Sequence, residues 1–85
     1  MTKPTAHQLA VLRKMRDGWE LGLDTGMDAY AWLQRNGLGR GGDTQSVSLN
    51  TLYALVSRKL LERGGYNYPT QRFILTAKGR EAADA

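Results

Sequence analysis

Between Val47 and Leu61, Asn50, Thr51, Ala54, Ser57 and Arg58 recur at a spacing that gathers them on one side of a helix. These residue types suit contact with a nucleic acid duplex. Asn can pair bidentately with adenine, Ser and Thr can bond phosphate or base edges, and a small Ala permits close approach in a major groove. Further candidates flank the stripe: Ser48 at its start, Arg63, Asn67, Tyr68 and Arg72 downstream, and Arg40 upstream. These are the expected DNA-binding residues. The chain offers little for other chemistry. With no cysteine there is no disulfide or thiolate metal site, and His7, the one histidine, has no evident Ser or Asp partner for a triad. Asp17, Glu20, Asp24, Asp28 and Asp43 fall in or beside turn segments, where capping and solubility account for them. No enzyme, cofactor or metal is expected.

Positioning such a stripe requires a scaffold, and 85 residues suffice for one domain with a modest core. Thr5 and Gln8 have capping-box spacing, so a first helix is expected over 5–17, with Leu9, Leu12 and Met15 inward and Gly18 ending it. Arg13, Lys14 and Arg16 suit the negative end of its dipole. Trp19, Leu21 and Leu23 alternate with Glu20, Gly22 and Asp24 as in a half-buried strand, and Asp24-Thr25-Gly26 supplies a turn. Two readings stand for the segment beyond. It can return as a strand, with Ala29, Ala31 and Leu33 opposite Tyr30 and Trp32, or form a short helix on the spacing of Met27, Tyr30, Ala31, Leu33 and Gln34. The aromatic residues and glycines favour a hairpin over 19–35.

Four glycines surround Arg40 in the segment 36–46, and neither nucleotide-binding fingerprint fits their spacing. A mobile surface loop is expected there, with Arg40 available to a phosphate backbone. Ser48 then caps a helix over 48–58, with Val47 as its hydrophobic staple and Leu49, Leu52, Leu55, Val56 and Leu60 turned inward. A hairpin over 60–75 follows. Leu60 to Arg63 and Gln71 to Leu75 read as its strands, and Gly64 to Thr70 as the turn. Thr76 caps a closing helix over 76–84 that accepts Gly79 at a propensity cost of about 1 kcal/mol. Trp19, Trp32, Tyr30 and Phe73 read as core or hairpin packing, since Tyr53, Tyr66 and Tyr68 are the aromatics in or near the expected contact surface, and a single-strand binder needs several exposed aromatics along a basic groove.

The order Val47-Ser48, Thr51-Leu52, Leu55, Arg58, Leu60-Leu61-Glu62, a hairpin, then Leu75-Thr76 and Gly79-Arg80 resembles the winged helix-turn-helix core of MarR-like and PadR-like regulators and of small phage or prophage regulators. The resemblance covers residues 46–81, and the first helix more loosely. It implies an α+β winged helix of about three helices with a C-terminal β-hairpin wing, here with an extra hairpin or strand after the first helix. Two departures stand out. Lys59 occupies a position where the family has glycine, so either Lys59 turns left-handed or the helix runs on. A glycine-rich stretch also replaces the short helix that normally precedes the recognition helix.

A net charge of +4, mainly from eight arginines, favours a polyanionic partner. No apolar run spans a membrane, and Met1-Thr2-Lys3-Pro4 lacks the apolar core of a secretory signal, so a cytoplasmic protein is expected. The resemblance implies sequence-specific or backbone-directed binding of duplex DNA by a phage or bacterial transcriptional regulator. The alternative is a winged-helix protein-interaction module, with Leu49, Tyr53, Tyr66 and Tyr68 as its contact patch. A monomer and a small homodimer are both compatible with the sequence.

Overall fold

Thr5 opens the first helix as its spacing predicts: its hydroxyl accepts the Gln8 backbone N–H at 3.1 Å, and its own N–H donates to the Gln8 side chain at 3.2 Å. The computed structural model describes residues 4–85. Met1-Thr2-Lys3 of the expected signal-free N-terminus lie outside the described residues. Helix α1 covers Ala6–Arg16, and strands β1 (Glu20–Asp24) and β2 (Tyr30–Gln34) follow. The hairpin reading therefore holds and the alternative short helix does not form. Ala31 and Leu33 are buried while Tyr30 is exposed on the opposite face, as strand alternation requires, whereas Ala29, expected beside them, is exposed before the strand begins, and Gln34 at its end is buried.

A third strand, β3 (Thr44–Val47), runs antiparallel to β2 and takes the end of the expected loop. It enters helix α2 (Leu49–Ser57) through Ser48 alone. Strands β4 (Leu61–Asn67) and β5 (Thr70–Leu75) form the expected hairpin, and α3 (Ala77–Asp84) closes the chain. The hairpin strands are longer than the sequence suggested. Gly64 to Asn67, expected in the turn, belong to β4, with a register irregularity between Arg63 and Tyr66. The turn is reduced to Tyr68-Pro69, joined by a cis peptide bond.

All strands join one antiparallel sheet in the order β3-β2-β1-β5-β4. Among the described residues the result is an α+β fold with three helices and a five-stranded sheet. It is not a winged-helix arrangement as a whole, because strands rather than a helix lie between α1 and α2, and no helix-turn-helix pair forms among the described residues. The glycines and aromatics of the intervening segment are poor helix formers, whereas sheet pairing satisfies their backbone. Within this sheet the α2–β4–β5–α3 order survives.

The helices pack on one face, where Val11, Leu12, Leu21, Leu33, Leu52, Leu55 and Leu61 are almost fully excluded from water. Arg13 and Arg16 reach the end of α3 and donate to the Ala83 carbonyl at 3.3 and 2.9 Å, so they also cap α3 as well as suiting the dipole of α1. Arg16 donates further to Asp17 and Asp84, bonds that raise its pKa.

The glycine-rich segment is anchored rather than free. Leu38 N–H donates to the Glu20 carboxylate at 2.8 Å, and Gly39 N–H to the Gln34 side chain at 3.1 Å. Leu38 is thereby drawn across the outer, helix-free face of the sheet over Gly22, where a Cβ would stand 3.0 Å from its side chain.

Candidate nucleic-acid interface

Helix α2 presents its candidate face only in part. Asn50 and Ser57 are exposed, and Thr51, Ala54 and Arg58 are half-buried. Ser48 and Thr51 are committed to the helix start: Ser48 Oγ accepts the Thr51 N–H at 3.1 Å and donates to the Thr51 hydroxyl at 3.0 Å. They support the reading face by fixing where the helix begins. At the other end, Lys78 Nζ donates to the Arg58 carbonyl at 3.4 Å, gathering Arg58, Lys59 and Lys78 beside the helix C-terminus.

Register decides which hairpin residues share this side. Arg63 pairs with Phe73, whose side chain is in the core, so Arg63 stands on the α2 side of the sheet. Arg72 is one residue away and therefore projects from the opposite face, beside Gly22 and 3.6 Å from the Glu20 carboxylate. Arg40 lies near that opposite face too, its side chain against Gly37. The expected set thus divides. Asn50, Ala54, Ser57, Arg58 and Arg63 belong to the α2 side, Arg72 and Arg40 do not, and Asn67 and Tyr68 are exposed at the hairpin tip.

A groove of about 350 Å³ separates α2 from the hairpin, and Tyr53, Val56, Arg63, Tyr66 and Gln71 are among its lining residues. Tyr53 and Tyr66 were absent from the expected DNA-contact set. Tyr53 could have been found from its place between Asn50 and Ser57 on the helix. Tyr66 belongs with Tyr53 to the alternative protein-contact patch, and its place facing α2 depends on the strand continuing through Gly64 and Gly65. The hairpin is braced from the β1–β2 turn: Thr25 N–H and hydroxyl donate to the Pro69 carbonyl at 2.7 and 2.9 Å, and the hydroxyl meets the Tyr66 hydroxyl at 3.3 Å.

The segment from Thr44 to Leu61 contains no carboxylate, and no described residue lining the groove is acidic. Among the described residues no group of His, Cys, Asp or Glu could hold a metal ion, and no helix is long and apolar enough to cross a membrane. Comparison with known proteins gives no match to any family model, curated protein or solved structure.

Proposed function

We propose that the protein binds duplex DNA through α2 and the β4–β5 hairpin, with α2 in the major groove and the hairpin along the flanking backbone. The observation that carries this reading is the acid-free surface on which Asn50, Tyr53 and Ser57 of α2 lie across a groove from Arg63 and Tyr66. A nine-residue helix is about 13 Å long, and a helix diameter of about 10–12 Å with side chains matches a groove about 12 Å wide. Asn50 supplies a base-reading amide, while Arg58, Lys59 and Arg63 supply positive charge for phosphates. Such binding would let a small regulator occupy its site on DNA. The sheet, in place of a supporting helix, fixes the angle between α2 and the hairpin.

Fluorescence anisotropy of a labelled duplex pool across a salt series tests the proposal. Three phosphate contacts give a slope of log affinity on log salt of about −2.7, a loss of roughly fortyfold between 50 and 200 mM salt. Arg63→Ala should reduce that slope by about one. Arg72→Ala, on the opposite face, should leave duplex affinity within about twofold of the parent. No duplex binding at low salt, or equal losses for Arg63→Ala and Arg72→Ala, would sink this reading.

A further inference from the structure

The sheet face turned away from the helices carries a second concave surface that duplex binding by α2 does not use. Gly22 lies at its centre, paired with Trp32 on one side and Arg72 on the other. Because Gly22 has no side chain, the indole of Trp32 lies close over the backbone, with its Cη2 3.2 Å from where a Cβ would stand. The Tyr30 ring follows at a centroid distance of 5.3 Å and a tilt of 36°. Tyr30 is 55 % exposed and Tyr68, at the hairpin tip, 75 %. The packing role expected of Tyr30 and Trp32 therefore accounts for only part of their surface.

Leu38 and Gly39 of the anchored loop form one wall of a trough of about 570 Å³, and Asn67 to Pro69 of the hairpin form the other. Trp32, Gln34, Thr70 and Arg72 lie between them. Among the described residues lining this trough Arg72 is the one charged side chain, and no carboxylate is present. Glu20 holds the Arg72 guanidinium from one side at 3.6 Å and also accepts the Leu38 N–H. A polar notch of about 220 Å³ continues from the trough past Leu38 and Arg72 to Arg40 and Asn36, with Glu20 also in its wall.

We propose that this trough binds a segment of single-stranded nucleic acid. A base stacks against Trp32 and Tyr68, Asn67 and Thr70 offer hydrogen bonds to its edge, and the adjoining phosphates meet Arg72 and Arg40. The combination of planar aromatic faces, amide and hydroxyl groups, and two arginines, with Glu20 beside Arg72 as the one carboxylate among the described residues of the adjoining notch, matches a base joined to a phosphate. The trough is open along the sheet and leads into a second arginine-bearing notch, which suits a continuing strand better than an isolated nucleotide. Because it lies across the sheet from α2, its occupancy does not depend on the duplex reading.

The test titrates the full chain into a fluorescently labelled decathymidine, with thymidine monophosphate as competitor. Decathymidine should bind, and Trp32→Leu should weaken binding roughly tenfold through loss of one stacked base. Tyr68→Ser and Arg72→Gln, both at exposed positions, should each weaken it by roughly threefold or more. These two variants keep the test decisive should Trp32→Leu fail to fold. The Asn50→Ala, Arg63→Ala double variant should retain the parent affinity for decathymidine while losing duplex affinity. Absence of decathymidine binding, or binding unchanged by Tyr68→Ser and Arg72→Gln, overturns the proposal. Equal affinity for the monophosphate and the decamer overturns a strand as the occupant.

Discussion

Lys59 holds φ at 62°, a left-handed conformation that costs an L side chain roughly 1 kcal/mol or more. The conformation is retained because it ends α2 with two backbone bonds: Lys59 N–H donates to Val56 O at 2.9 Å and Leu60 N–H to Leu55 O at 3.0 Å. Lys59→Gly should therefore raise unfolding stability by about 1 kcal/mol, seen as a higher urea midpoint at unchanged slope. An unchanged or lowered midpoint would refute the strain. Gly79 makes the opposite case. Its helix propensity alone predicts that alanine would stabilise α3 by about 1 kcal/mol, yet a Cβ there would lie 2.0 Å from the Leu60 carbonyl oxygen. Gly79→Ala should cost a net of about 2 kcal/mol, because α3 must move away from the turn after α2. A gain in stability would contradict that close approach. The sequence marked both positions as unusual. It could not show that Thr76, which donates to Lys59 O at 2.6 Å and caps Gly79 N–H at 3.0 Å, ties the two together.

Among the elements, the three helices and both hairpins were legible because each has local signals: the Thr5, Ser48 and Thr76 caps, the helical spacing of leucines, and alternation around Asp24-Thr25-Gly26. Strand β3 was not. Thr44-Gln45-Ser46-Val47 is short and mostly polar, and becomes a strand through its pairing with β2, a contact distant from local propensity. The same pairing rules out a helix before α2. The brace from Thr25 to the hairpin tip also has no local signature, since it joins residues more than forty positions apart. Thr25→Val keeps the backbone bond to Pro69 but removes both hydroxyl contacts, each worth about 1 kcal/mol. Amide exchange at Asn67 and Thr70 should accelerate, and duplex affinity should fall by about threefold to tenfold as the hairpin loses its fixed angle. Unchanged exchange would show that the hydroxyl does not position the tip.

At the scale of the molecule, one sheet separates two surfaces of different chemistry. Its helix-bearing side offers the α2 face and Arg63, its bare side offers Tyr30, Trp32 and Arg72, and Tyr66 of the hairpin lines both the groove and the trough. The sequence listed most of these residues but placed Arg63 and Arg72 together, because cross-strand register, which puts them on opposite faces, is fixed only when Phe73 enters the core. Backbone amide shifts in a nitrogen-15-labelled sample titrated with duplex DNA read both surfaces at once. Duplex binding through α2 and the hairpin predicts perturbations centred on Asn50, Tyr53, Ser57 and Arg63, with Tyr30, Trp32 and Arg72 unaffected. Perturbations centred on Tyr30, Trp32 and Arg72, or none at any duplex concentration at low salt, would contradict it.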